Sequence, residues 1–432
     1  MPEASLFYFL NFAWQIIKGW AWIILPFILI KPFLFLYLWW RVDNWLKKQK
    51  NVLLEIKIPK ESLKPIRAME NVMAGIHGAV YHPPDWWEKW IDGQVQLSAA
   101  FEIISIGGEP HFFIRTPVAY RDSLEASIYS QYPEAELTEV DDYVKYVPQS
   151  IPNKEWNMWG ADYKVLKDDH YPIKTYPKFE TEHETKEEKR VDPVATLLES
   201  MAKVKPGEQL WIQIIAEPIS ETPLKKWLAA GEVLRDKLAR RPEKSAQRPI
   251  ISEAAQILIT GKVGEEKITE EKDIIPPEMK LTPGEKEALL AIEGKMSKPI
   301  FKCTLRFIWL GKRDVYFKPN FRLAFAFFNS YTTLNLNALF PTGETLTKIH
   351  KSWFLPKNIV YDRRLYLRCR KIFRNYINRF TPFWPKPGGT FHLNTEETAS
   401  LFHFPSKTVA PTPGVPRVES KKRGASLELP SE

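Results

Sequence analysis

Cysteine is almost missing from this chain: Cys303 and Cys369 are the only two in 432 residues. Neither belongs to a CxxC pair, and the eight histidines are scattered without metal-ligand spacing. A disulfide scaffold and a zinc finger are thereby excluded, and the usage agrees with a reducing compartment. A phosphate-cradling glycine loop is missing as well. The nearest string to GxxxxGK[ST] is Gly294-Lys295-Met296, which lacks the first glycine and puts a thioether where the metal-binding hydroxyl belongs. No GxSxG elbow, HExxH pair or kinase signature occurs. The expectation is a protein that is not an enzyme, with no cofactor, no metal site and no catalytic residue. Acidic residues are missing from one stretch, for none occurs between Glu3 and Asp43.

That stretch is instead apolar and rich in tryptophan from Leu6 to Trp40, and it ends abruptly in Arg41, Lys47, Lys48 and Lys50. About 20 apolar residues suffice to cross a bilayer as a helix. The best single span runs from Trp20 to Trp40, with Trp20 and Trp22 at one end and Trp39 and Trp40 at the other, as indole rings prefer both interfaces. Pro26 and Pro32 are tolerated in such spans. Lys31 must snorkel, meet a partner, or divide the stretch into a short hairpin. One span is favoured, because each arm of a hairpin would be too short. Leu6–Ile17 then reads as an interfacial helix or upstream extension. The basic collar after Trp40 places the rest of the chain in the cytoplasm, attached to the inner membrane by a single pass. A cleaved signal peptide fits poorly: there is no basic start, the apolar region is too long, and no small-residue cleavage site follows.

Charge is unevenly spread. From Phe301 onward there are 22 Lys and Arg against 8 Asp and Glu, a net of +14; the totals of 61 and 52 leave 39 against 44 upstream, a net of −5. A basic C-terminal third suits nucleic acid, anionic lipid or an acidic partner.

Hydrophobic periodicity places two α/β modules after the anchor. In the first, Leu54, Ile56 and Ile58 alternate as a strand, and Leu63, Ile66, Met69, Met73 and Ile76 recur at helical spacing. Val95 to Ile103 alternates as a long half-buried strand with Glu102 on its polar side. Gly107-Gly108-Glu109-Pro110 is a turn into a strand with Phe112 and Ile114. A helix over Tyr120–Tyr132 and a short strand after Pro133 complete β-α-β-β-α-β, the order of a ferredoxin-like sandwich, which names no function. A Tyr- and Trp-rich connector and a charged run, Glu180–Arg190, follow. The second module has a helix at Val194–Met201, a strand at Leu210–Ala216 and a helix at Leu224–Leu238. A polar insertion separates these from a helix ending at Met296. Phe301, Cys303, Leu305, Phe307 and Trp309 then alternate with Lys302, Thr304 and Arg306; a helix with Phe321, Phe325 and Phe328 and a short strand near Leu336–Phe340 follow. Both cysteines fall on apolar faces, so buried thiols are expected.

The fold class is therefore α+β: an N-terminal transmembrane helix, two ferredoxin-like α/β modules and a disordered C-terminal tail. The expected boundaries are 1–50 for the anchor and collar, 51–145 for the first module and 146–191 for the connector and linker. The second module covers 192–345 with its insertion near 240–281, the basic helix and following segment 346–404, and the Pro-rich basic tail 405–432.

One helix carries candidate contacts. Tyr361, Leu365, Cys369, Ile372, Phe373, Tyr376 and Phe380 form an apolar stripe. Arg363, Arg364, Arg368, Arg370, Lys371 and Arg374 occupy its other faces, together with Arg379. Arginine suits bidentate phosphate contact and an interleaved tyrosine could stack on a base, so these side chains are candidates for nucleic-acid or lipid-headgroup contact. The plainer reading is a solvated face on a core helix, near anionic headgroups.

Two blocks resemble a known family. One is Leu281-Thr282-Pro283-Gly284-Glu285-Lys286, continuing through Lys298-Pro299-Ile300-Phe301 to Asn335, Ala338, Leu339, Phe340 and Pro341; the other runs Leu393-Asn394-Thr395-Glu396-Glu397-Thr398-Ala399-Ser400-Leu401-Phe402-His403-Phe404-Pro405. Both are similar to the region preceding the motor in membrane-anchored, conjugation-type ATPases of candidate-phyla bacteria, relatives of type IV secretion coupling proteins and of the HerA-FtsK superfamily. Phe113-Ile114-Arg115-Thr116-Pro117 and Gly207-Glu208-Gln209 fit the same region. In that family the ATPase core follows a proline-rich tail; here the tail passes Pro411, Pro413 and Pro416 to Lys421-Lys422-Arg423 and the chain ends at Glu432 without a motor. The resemblance therefore implies an adaptor that holds a separate P-loop ATPase of a DNA or protein transfer system at the membrane, and a ring motor would imply a homo-oligomer. The alternative is a membrane-tethered protein that binds DNA through its basic C-terminal third.

Overall fold

A computed structural model describes residues 2–57, 64–179, 192–241, 281–349, 360–381 and 389–405. They form two compact units, one of residues 1–51 and 82–97 and one of residues 52–81 and 98 onward. The first unit is built on helix α1, Pro2–Lys48, which is unbroken through Pro26 and Pro32. It does not fold back at Lys31, so the hairpin alternative is not what forms. At 1.5 Å per residue its 47 residues extend roughly 70 Å. Leu25–Lys48 is long and apolar enough to cross a membrane, and Phe27, Ile28, Phe33 and Leu36 along it are exposed.

The second unit runs through β1 (Asn51–Lys57), α2 (Ile66–Val80), β2 (Ala99–Ile106), β3 (Glu109–Pro117), α3 (Arg121–Gln131), β4 (Glu136–Glu139) and β5 (Trp156–Val165). It continues with α4 (Pro193–Met201), β6 (Glu208–Pro218), α5 (Glu221–Leu238), α6 (Pro283–Met296), β7 (Ile300–Lys312), α7 (Arg322–Ser330) and β8 (Leu339–Pro341). The last described elements are α8 (Val360–Ile377), β9 (Thr390–Asn394) and α9 (Thr395–Leu401).

The strands make one sheet in the order β4-β1-β3-β2-β6-β7-β5-β8, with β9 also on β7. The central seam is antiparallel, from Ala99 opposite Ala216 to Ile106 opposite Gln209. The first half has the element order β-α-β-β-α-β and its strands lie 4-1-3-2. Read inward from its outer edge, the second half lies β8-β5-β7-β6, the same order in its own numbering. Gly107 and Gly108 (φ +60° and +101°) form the two-residue hairpin between β2 and β3, a turn that needs positive φ at both positions.

Both faces of the sheet are covered. On one, Met69 and Val72 of α2, Leu124 of α3, Leu198 of α4, Phe328 of α7 and Leu401 of α9 pack over Leu54, Phe101, Ile103, Ile212 and Phe307. On the other, α8 and the segment around Tyr143 and Val147 pack over Ile104, Phe113, Trp211, Ile308 and Leu310. This changes the reading of the alternating strands. Lys302, Thr304 and Arg306 alternate with apolar residues along their strand, yet Thr304 and Arg306 are buried, and so is Glu102 on β2. Their face is roofed by α8 rather than by water.

Two expected boundaries also change. Trp156–Val165, assigned to the connector, is a ten-residue strand paired with β7 and β8. Residues 390–404, expected in a segment beyond the second module, enter the core: β9 pairs Ile300–Thr304 of β7, and Leu393, Ala399 and Phe402 are buried. The charged run Glu180–Arg190, residues 242–280 of the insertion and residues 406–432 of the tail lie outside the described residues.

Candidate functional site

The expected basic helix is α8, and its apolar stripe seats it on the sheet through Cys369, Ile372, Phe373 and Tyr376. Burial pushes the Cys369 thiol up to about 12, and the Cys303 thiol also rises, so neither is a ready nucleophile.

Two buried arginines hold the C-terminal end of α8. Arg306 of β7 donates from Nη1 to the Asn375 carbonyl (2.6 Å), from Nη2 to the Phe380 carbonyl (2.8 Å) and from Nε to Asp162 (3.0 Å). It thus adds a second donor to the Asn375 carbonyl near the end of α8 and ties down the Phe380 carbonyl just past it. Burial pushes the Asp162 carboxyl above its ordinary range despite the neighbouring Arg306.

The second is Arg379, two residues past the helix. It reaches back to Glu102 of β2, with Nε to Oε1 at 3.0 Å and Nη2 to Oε2 at 3.2 Å, and it forks onto Asp142, with Nη2 to Oδ1 at 2.9 Å. Tyr143 donates to Glu102 (2.9 Å) and its hydroxyl meets that of Tyr376 (2.9 Å); Gln213 Nε2 donates to Glu102 (2.7 Å). Burial opposes charge at Asp142, but the bonds from Arg379 prevail and lower its pKa. This buried polar cluster, in which Glu102 collects donors from Arg379, Tyr143 and Gln213, favours one arrangement of helix on sheet.

The candidate contact residues separate accordingly. Arg363, Arg364, Lys371 and Arg374 are exposed, and with the exposed Leu367 between them they line the outward face. Arg368 is committed inward: its Nη1 donates to the carbonyls of Gly343, Leu346 and Lys348, each at 3.1 Å. Arg370 is half-buried, and its Nη1 is buried without a partner among the described residues. Four of the six candidates therefore face solvent together. Arg379, placed among the basic faces by periodicity, belongs to the core instead.

A second constellation escaped sequence reasoning because its members are not spaced as ligands. Asp168, Asp169 and His170 are close enough to share a cation, the one such group among the described residues. Yet His170 points Nδ1 at Asp168 and Nε2 at the Trp227 carbonyl (2.8 Å), and both are acceptors. Both ring nitrogens are thus directed at protein oxygens and neither at an open ligand position. Asp169 is taken up by Trp227 Nε1 (2.9 Å) and by the His392 ring and backbone, and its pKa falls through those bonds against the effect of burial. These residues fasten β5, α5 and β9 together.

A family model matches residues 41–414, under the description "Domain of unknown function (DUF8128)". The chain belongs to the DUF8128 family. The matched region begins at Arg41, where the apolar stretch of α1 ends, and takes in all described residues of the second unit, with α8 and both arginine clamps. No curated protein matches the DUF8128 chain.

Proposed function

We propose that this protein is a non-enzymatic, membrane-anchored adaptor whose α8 face engages an anionic surface of a separate partner, a P-loop ATPase of a conjugation-like transfer system. The observation that carries the adaptor reading is the clamped helix: Arg363, Arg364, Lys371 and Arg374 stand on an exposed face whose backbone Arg306 and Arg379 hold against the sheet. A fixed array of cations costs little entropy to present and selects a partner by charge complementarity. The ATPase identity rests on the sequence resemblance. The strand orders 4-1-3-2 and β8-β5-β7-β6 support two ferredoxin-like modules joined edge to edge along β2 and β6. The basic collar after Trp40 supports a single pass in the inner membrane with the bulk of the chain in the cytoplasm.

The test is affinity capture of the full chain from detergent-solubilised membranes at native expression. A P-loop ATPase should be recovered, and it should be lost with the variant R363E/R364E/K371E/R374E. Recovery of the protein alone, or equal recovery of an ATPase with that variant, contradicts the proposal.

The same face favours a second reading, DNA binding, because Tyr366 is exposed beside the arginines. Four phosphate contacts on duplex DNA give a log–log salt slope of about −3.6, or a loss of affinity on the order of a hundredfold between roughly 50 and 200 mM salt. Salt-insensitive or undetectable binding by the full chain removes that reading.

A further inference from the structure

The first unit holds a second chain segment besides α1. Residues 82–97 leave the end of α2 and return at the start of β2. Their base is tied by a bond from the His82 backbone N–H to Gln96 Oε1 (3.0 Å). Their tip is a single helical turn running into a π-helical turn, Glu88–Asp92, braced by the Asp85 N–H on Glu88 (2.9 Å) and the Gln94 N–H on the Glu88 carbonyl (3.1 Å). The tip presents indoles outward: Trp86 is 68% exposed and Trp87 63%, with Trp90 and Ile91 beside them. Exposed tryptophans at this density are unusual on a water-facing loop.

Where the segment is attached says what covers it. Gly93 has φ +75°, and a Cβ there would lie 2.5 Å from the Arg41 carbonyl carbon, so the loop backbone sits directly on the backbone of α1 at Arg41. Arg41 ends the apolar run and begins the basic collar. Twenty residues at 1.5 Å separate Trp20 from Trp40, about the 30 Å of a hydrocarbon core. The loop is therefore fixed at the level of Trp39 and Trp40, which are themselves exposed on α1. Indole rings favour that level because the ring is apolar while its N–H needs a wet partner.

We propose that Trp86, Trp87, Trp90 and Ile91 dock into the headgroup–acyl boundary of the lipid bilayer and form, with Trp39 and Trp40, one aromatic belt on two chain segments. The segment is a second membrane contact that steadies the exit of the anchor from the bilayer. This rests on reading α1 as inserted in a membrane with its span ending at Trp40.

The test uses the full chain in vesicles of phosphatidylethanolamine and phosphatidylglycerol, spin-labelled at single engineered cysteines. The native thiols Cys303 and Cys369 are buried and leave the label to the engineered position. Labels go to Trp87→Cys or, should that variant fold poorly, Ile91→Cys. Leu36→Cys reports on the span and Asp314→Cys on an exposed aqueous turn. The expected ratio of oxygen to nickel-chelate collision at position 87 exceeds that at 314 and falls below that at 36. A water-like ratio at 87 beside a lipid-like ratio at 36 overturns the docking and leaves the anchor standing. Water-like ratios at both positions remove the anchor reading and the docking with it. A label at 87 shielded from both agents reports a protein contact and overturns the lipid assignment.

Discussion

Arg379 occupies a backbone position that ordinarily belongs to glycine. It follows α8 with φ +48°, its N–H bonds to the Tyr376 carbonyl (3.0 Å) and the Phe380 N–H bonds to the Asn375 carbonyl (2.9 Å). That pair of bonds is the Schellman ending, in which the left-handed residue is usually Gly. A side chain there costs about 1 kcal/mol, and the ionic contacts to Glu102 and Asp142 offset it. The Arg379 and Glu102 side chains are 3% and 0% exposed. Removing one partner of a buried pair costs about 3–5 kcal/mol. Asp142 retains some access to water, and Glu102 keeps the Tyr143 and Gln213 donors, which places Arg379→Ala near the low end, about 3 kcal/mol. Arg379→Gly loses the same contacts but regains the backbone term, for a loss of about 2 kcal/mol. Adding Glu102→Gln to Arg379→Gly removes the stranded charge and should bring the loss to about 1 kcal/mol. Urea unfolding of the full chain in detergent, followed by near-ultraviolet circular dichroism, reads the series. An Arg379→Ala variant within about 0.5 kcal/mol of the parent, or an Arg379→Gly variant worse than Arg379→Ala, contradicts the clamp.

Three further outcomes follow elsewhere in the second unit. Lys295→Met leaves Glu397, fully buried and 3.1 Å from the lysine, without its counter-charge, and should cost about 3 kcal/mol, most of it restored by adding Glu397→Gln; an unchanged urea midpoint for the single variant would refute the pairing. His403 sits between the Ala399 carbonyl and Asp192, and although burial opposes its charge, Asp192 raises its pKa above the ordinary 6.5. Its contribution to stability is therefore full below about pH 6.5 and disappears as pH rises through the folded-state value, so parent and His403→Gln should converge in stability at alkaline pH; a gap independent of pH contradicts the charged pair. Gly108→Ala places a Cβ 2.9 Å from the Val204 carbonyl at φ +101° and should lower stability by about 1–3 kcal/mol, which thermal unfolding will detect.

Much of the architecture was legible, and the failures share one physical cause. The β-α-β-β-α-β element order, the Gly107-Gly108 turn and the stripe of α8 all follow from short-range periodicity and turn chemistry. Periodicity reports alternation, however, and not what lies over the polar side. Glu102, Thr304 and Arg306 alternate as though facing water, but they are buried beneath α8 where each charge has a partner. The strand Trp156–Val165 was hidden for the related reason that it is buried on both faces, so Trp156 and Met158 point one way and Trp159 and Tyr163 the other. The block Leu393–Pro405 carried the more specific part of the resemblance, and folding accounts for much of its distinctiveness. Asn394 and Glu397 form a capping box, Glu397 also takes the Ile173 N–H and Lys295, and His403 holds Asp192. Its side chains serve the core, while the exposed cations of α8 carry the candidate contact. The split of the basic helix into Arg368 turned inward and Arg363, Arg364, Lys371 and Arg374 turned outward required the carbonyls of residues 343–348, which no helical wheel contains.

The outward face of α8 is the proposed contact with an ATPase. Leu367 lies at the middle of that face and is 55% exposed. A photo-crosslinking amino acid at position 367 of the full chain, activated in native membranes, tests the contact directly. The expected result is a crosslinked product that mass spectrometry identifies as a P-loop ATPase. A label at 367 that captures nucleic acid, lipid or no macromolecule, while the protein stays folded and membrane-bound, would contradict it.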